Sequence, residues 1–349
     1  MPVTQPDLGQ NEAILQGQKR GNYEMVEIFR GYALNIGGPT YINSPIPVNN
    51  PIIAAIIRVN ITLTVGTGTG AIAEGELLFT KAISFRSDKN EFFLKNVPGR
   101  GLYRLNQIEF GTHGQKDAVA ASNGTYSQLY VLPFVDFSMR HPYDTVFDPQ
   151  GRGYKSVELA ITVGGVADLL GTVGTSSVTA TADMEFVQMR ETVVPAGIKP
   201  RYVREIGNVQ PANLANQLFQ DLERSPDLAY TGLMVQTANN ATVGVPFTGT
   251  PTNTTLTDIS VETNNSYPVK SILYALLNYF NNFRAANTGW PVGYIYLDLL
   301  GYGKQEQDGS YLGALYSAKY GKLRINSTAG ALWYSQMSIL YDSIRDLKP

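Results

Sequence analysis

Along most of this chain, hydrophobic and polar positions alternate with a period of two, as they do in strands that bury one face. In the run Pro51–Val65, PIIAAIIRVNITLTV, residues Val59, Ile61, Leu63 and Val65 fall on one side and Asn60, Thr62 and Thr64 on the other. The same alternation predicts strands at Ala82–Phe85, Glu91–Val97, Tyr103–Phe110, Leu129–Phe137, Val157–Val163 and Val178–Met189. Turn chemistry separates them at Pro98-Gly99, Asn123-Gly124, Pro149-Gln150-Gly151 and Gly164-Gly165. Many short strands joined by such turns predict an all-β sandwich or barrel.

The pattern then repeats. Residues 154–164 read YKSVELAITVG and residues 320–329 read YGKLRINSTA, each a Tyr, a Lys and an alternating strand. Upstream of each lies an apolar strand, Leu129–Phe137 and Val292–Leu300. Downstream lies one more alternating strand, Val178–Met189 and Gln336–Tyr341. Leu228–Thr237 echoes Leu102–Thr112, with Ile108, Phe110 and Thr112 matched to Leu233, Val235 and Thr237. A helix is expected in both halves. The first is short, Lys116–Ser122, and the second puts Val269, Leu273, Leu276, Phe280 and Phe283 on one face. A repeat of this size predicts duplication of a whole sandwich. The expected organisation is an N-terminal arm 1–40, a first sandwich 41–192, a proline-bracketed linker 193–204 and a second sandwich 205–349. Residues 238–268, rich in Thr, Asn and Gly, are expected to be an outward-pointing surface loop within the second.

Composition narrows the function. Charged residues make up 16% of the chain, where globular proteins average roughly 25%. Tyr is abundant, at 21 residues. Interface cores are short of charge and rich in Tyr, so this surface suits broad lateral contacts; strands also favour Tyr and Thr for packing alone. With a net charge of −2 and no basic stripe, a specific nucleic-acid partner is not expected. The absence of Cys removes disulfides, thiolate nucleophiles and Cys-based zinc sites.

Candidate chemistry is sparse. His113 and His141 are the only histidines, and the turn RHPYD explains His141 and Asp144 as well as catalysis would. Asp144 and Asp148 are oxygen ligands that suit Ca²⁺, though turn capping accounts for them too. Gly66-Thr-Gly-Thr-Gly70 and Gly301-Tyr-Gly-Lys304 lack the Gly-Lys-Ser/Thr ending of a phosphate loop and read as turns. Trp290 and Trp333 suit a sugar-binding face or an ordinary core. No catalytic residue and no cofactor is expected.

The stretch Met139–Leu169, MRHPYDTVFDPQGRGYKSVELAITVGGVADL, resembles a segment of the major capsid proteins of tailless icosahedral viruses of bacteria and archaea. The matching positions are Pro142, Asp144, Thr145 and Asp148, then Val157, Leu159, Ile161 and Thr162. The resemblance implies a double jelly roll, two eight-stranded sandwiches in tandem with short helices between strands. It also implies a structural, non-enzymatic virion protein, made in the host cytoplasm. Homotrimers with a near-hexagonal outline would tile an icosahedral shell and meet neighbouring capsomers and penton or minor capsid proteins. An internal membrane would be reached by the N-terminal arm with its Lys19-Arg20. Two other readings stay open: a carbohydrate-processing or carbohydrate-binding two-jelly-roll protein, which needs paired acids in a cleft, and a vertex protein, against which the duplication argues.

Overall fold

The structure, a computed structural model, describes residues 23–47, 50–110, 116–135, 142–190, 200–209, 217–223, 225, 227–239, 250–251, 253, 256–263, 266–273, 281, 290–299, 315–316, 324–329 and 337–346. The chain forms two compact units, Met1–Asp136 with Pro142–Pro200, and Phe137–His141 with Arg201–Pro349.

The first unit holds β1 (Tyr23–Ala33), β2 (Pro39–Pro45), β3 (Ile52–Thr64), β4 (Thr69–Ala71), β5 (Thr80–Ser87), β6 (Phe92–Val97), β7 (Gly124–Pro133), β8 (Ser156–Val163), β9 (Leu170–Thr172) and β10 (Ser177–Met189). Its helices are α1 (Gly75–Phe79), α2 (Gly99–Phe110) and α3 (Pro149–Arg152). One sheet runs β1-β10-β3-β7 and the other β6-β5-β8-β2, all antiparallel. Alternation makes the sandwich: in β8 every second residue is buried, Val157, Leu159, Ile161 and Val163. Between the sheets lies an aromatic core. Phe85 of β5 meets Phe186 of β10 at 6.3 Å between ring centres, and Phe93 of β6 meets Phe134 at 5.2 Å. The outer face of the first sheet is covered at one end, where Ala54, Ile56, Val131, Val187 and Met189 pack with Val146 and Tyr143.

The second unit holds β11 (Tyr202–Val209), β12 (Gln217–Asp221), β13 (Leu228–Asn239), β14 (Thr250–Pro251), β15 (Leu256–Thr263), β16 (Ser266–Leu273), β17 (Tyr294–Asp298), β18 (Leu315–Tyr316), β19 (Arg324–Ala329) and β20 (Met337–Asp346). Here β11-β20-β13 make one sheet, with β17 and the short β14 and β18 on the far side of β13. The other sheet runs β12-β19-β15-β16.

Setting aside the short β4, β9, β14 and β18, the described residues of each unit form eight long strands. Counted from its first strand, each unit gives one sheet in the order 1-8-3-6 and the other in the order 5-4-7-2. That is the jelly-roll order, built twice. The two strands quoted for the repeat, β8 and β19, both occupy the seventh position. So do the flanking pairs agree: β7 with β17 in the sixth, β10 with β20 in the eighth. A buried asparagine repeats as well. Asn106 on α2 donates to the Val131 carbonyl at 2.7 Å and accepts from its N–H at 2.9 Å. Asn281, helical in the second unit, does the same to Tyr296 of β17, at 3.0 and 2.8 Å.

Several expectations need correction. Tyr103–Phe110 lies within helix α2, so its match to Leu228–Thr237, in β13, pairs a helix with a strand. Lys116–Ser122 is not a helix; Lys116 bridges to Gln128 of β7. Val269–Leu273 belongs to β16, and the rest of that expected helix lies outside the described residues apart from Asn281. The expected loop 238–268 contains β14, β15 and the start of β16, because Ile259 and Val261 bury completely between Thr- and Ser-rich neighbours that also favour strands. Tyr23–Ala33, placed in the arm 1–40, is strand β1; two register shifts break its period of two. Most of the linker 193–204 lies outside the described residues, and β11 begins within it at Tyr202.

Candidate functional site

The segment that carries the family resemblance is a structural clasp. Thr145 Oγ1 donates to the Phe134 carbonyl at 2.5 Å. Phe147 exchanges backbone hydrogen bonds with Ile52 of β3 at 2.8 and 3.2 Å. Its ring lies 5.0 Å from Phe93 and 5.2 Å from Phe134, while Val146 turns to the outer cluster. Asp148 caps α3 by accepting from the Gly151 N–H at 3.0 Å. Asp144 sits in the 3₁₀ turn Pro142–Thr145. Among the described residues no group of three or more His, Cys, Asp or Glu is placed to hold a metal ion. His113, His141, Gly301–Lys304, Trp333 and Lys19-Arg20 lie outside the described residues.

The glycines of Gly66–Gly70 serve close packing between loops. A Cβ on Gly68 would stand 2.8 Å from the Thr172 carbonyl oxygen, and one on Gly66 would stand 3.0 Å from the Thr175 backbone. Gly66 N–H donates to Ser176 Oγ and Thr67 N–H to Thr175 Oγ1, so this segment is bound to the β9–β10 connection. Trp290 is buried and donates its indole N–H to the Tyr294 carbonyl at 2.6 Å.

Charges occur in matched clusters. In the first unit Glu74 is gripped by Arg100 and Arg104, Glu76 by Lys116, Glu91 by Arg152 and Tyr154, and Asp168 by Lys81. Burial pushes the Glu74 carboxyl up, but the guanidinium groups of Arg100 and Arg104 outweigh it and hold it below the usual carboxylate range. In the second unit Arg204 forks onto Asp342 at 3.0 and 2.6 Å. Arg345 stands among Glu205, Glu223 and Asp227 at 3.3–3.4 Å. This cluster sets paired acids beside an aromatic, since Tyr341 donates to Glu205 at 2.9 Å. Glu205 is only 3% exposed, and a guanidinium already occupies the trio. A glycan-cleaving acid must reach a substrate oxygen, which this carboxyl does not. Burial raises the hydroxyls of Tyr130, Tyr154, Tyr230 and Tyr341 well above their ordinary value, and takes Tyr103 up to about 12.

What the first unit offers to a partner is surface. On the outer face of the β6-β5-β8-β2 sheet, register aligns Tyr41 with Ala160 and Ser84, and Asn43 with Glu158 and Arg86. Arg86 and Glu158 pair with each other across this face, Ala160 and Ser84 are small, and Tyr41 is 61% exposed. Tyr32, near the end of β1, and Ile36, in the connection from β1 to β2, are exposed too. No helix among the described residues is long and apolar enough to cross a membrane.

No protein-family model matches the chain, and no curated protein does. Solved structures do. The chain is similar over 93% of its length to the major capsid protein of STIV, the Sulfolobus Turreted Icosahedral Virus, covering 97% of that chain at 15% identity and a TM-score of 0.67. It is similar over the same share to the major capsid protein P2 of bacteriophage PM2, covering 98% of it at 9% identity and a TM-score of 0.58. A chain of the PBCV-1 virus capsid matches over 92% of both, at 10% identity and a TM-score of 0.57. Identities this low establish a shared fold, two jelly rolls in one chain.

Proposed function

We propose that this chain is a major capsid protein, a structural subunit of an icosahedral virion that acts by assembling with copies of itself. One observation carries the reading: the tandem-sandwich fold matches the STIV major capsid protein across 93% of this chain and 97% of that one. Charge matched within each unit and a Tyr-bearing outer sheet face support it, because permanent assemblies need broad, weakly charged contact surfaces. Two similar sandwiches per chain give a trimer six similar units around one axis. Its outline is then nearly hexagonal, and hexagons tile a shell. Contacts of this permanent kind bury on the order of 2,000 Å² or more. Minor capsid proteins at the shell's vertices, and an enclosed membrane reached by the residues before β1, are the further partners this reading implies. The test is electron microscopy of the purified protein at high concentration: hexagonal arrays or closed shells are expected. Particles without lateral order at any concentration or salt would count against the reading.

A further inference from the structure

Among the described residues, each sandwich ends one sheet in its sixth strand, β7 in the first unit and β17 in the second. An open strand edge presents rows of N–H and C=O groups that template pairing with another chain. In β7 the inward groups belong to even-numbered residues, continuing to Phe134, whose N–H bonds Ile53. The outward groups therefore fall on odd-numbered ones. Ser127 is closed by Asp117, whose N–H donates to its carbonyl at 3.0 Å and whose Oδ2 accepts its N–H at 2.8 Å. Val131 is closed by Asn106 at both atoms. Pro133 has no N–H to offer. In β17 the outward residues are even-numbered, because the Gly293 carbonyl faces Thr237 of β13. The Tyr294 carbonyl is taken by the Trp290 indole, and Tyr296 is closed at both atoms by Asn281. A carboxamide carries the donor and acceptor of a peptide group, so each Asn stands in for one residue of a missing neighbouring strand.

We propose that Asn106, Asp117, Asn281 and Trp290 are edge seals, which keep β7 and β17 from accepting a strand of a second copy of this chain and so confine association to other surfaces. The inference stands on strand-edge chemistry and holds whether or not the chain builds a shell. Amide hydrogen exchange tests it first in the unaltered protein. The Val131 and Tyr296 amides should exchange at least about 100-fold more slowly than open edge amides. Exchange at the open-edge rate would overturn the proposal. Asn106→Ala and Asn281→Ala should then lose that protection at Val131 and Tyr296 respectively, while Tyr130 and Leu132 keep theirs. Well below their melting temperatures these variants should form oligomers that grow with concentration and bind thioflavin T. Ile57→Val, which weakens β3 without opening an edge, is the comparison. If it oligomerises equally at the same interval below its own melting temperature, the Asn residues are only structural and the proposal fails.

Discussion

Phe147 is the residue on which the clasp before β8 turns, and Phe147→Ala gives the sharpest test of it. The side chain is 2% exposed. Its ring lies within 5.0–5.2 Å of Phe93, Phe134 and Tyr154, and 6.1 Å from Phe186. Deleting a buried Phe to Ala costs about 3–5 kcal/mol, from lost transfer energy and the cavity left behind. Aromatic pairs add about 0.5–1.5 kcal/mol each beyond area, so the upper end of that range applies. A domain holds only about 5–15 kcal/mol in all. The neighbouring Asp148→Ala removes one helix cap and should cost only about 1 kcal/mol. Both tryptophans belong to the second unit, so the first is better followed by hydrogen exchange in peptides spanning β3. Phe147→Ala should lower the opening free energy of β3 amides by about 4 kcal/mol, and Asp148→Ala by about a quarter of that. A loss under about 2 kcal/mol for Phe147→Ala, or equal losses for the two variants, would refute the packing argument.

Other predictions follow from the charges and the surface. The folded-state hydroxyls of Tyr130, Tyr154, Tyr230 and Tyr341 lie above their unfolded value of 10.0, so the neutral form is favoured by folding. Their contribution is whole below pH 10 and is lost as pH rises past it; tyrosinate absorbance should then appear together with loss of far-UV ellipticity, and gradual titration with the fold intact would contradict this. Glu74 has the opposite sign: its folded value lies below the ordinary 4.5, so its contribution is present above that pH and fades as pH falls through the folded value. Glu74→Gln should therefore lower the melting temperature at pH 7 and flatten its fall with acid; an unchanged acid slope would show that the Arg100–Glu74–Arg104 contact contributes nothing. Tyr41→Ser should leave the melting temperature within about 1 °C, since the ring is mostly solvent-exposed, yet weaken assembly measured by light scattering. Assembly unchanged by that substitution would remove this face from the contact surface.

Much of the fold is legible in the alternation. Strands β5 and β8, and the alternating halves of β3 and β10, are written plainly because there one face is buried and the other is not. The pairing of β8 with β19 was visible because both are seventh strands of the same topology. Helix α2 was hidden because two periods overlap in it: Arg100, Arg104 and Gln107 step by four and three, but Tyr103 and Leu105, then Ile108 and Phe110, also step by two and mimic a strand. Strand β15 was hidden by composition, since Thr and Ser can mark a loop or a strand. The aspartates of the clasp were visible as turn caps or calcium ligands, and Asp148 is a cap, accepting from the Gly151 N–H. Asn106 and Asn281 gave no signal at all. A buried amide that closes a strand edge has no period, and only the second unit's repetition of the contact reveals it.

The most direct measurement of the central claim is the molar mass of the native protein by light scattering after size exclusion. One chain weighs 38.2 kDa. The account predicts a stable species of about 115 kDa, three chains around one axis, that persists on dilution. A clean 38.2 kDa monomer at every concentration would contradict it.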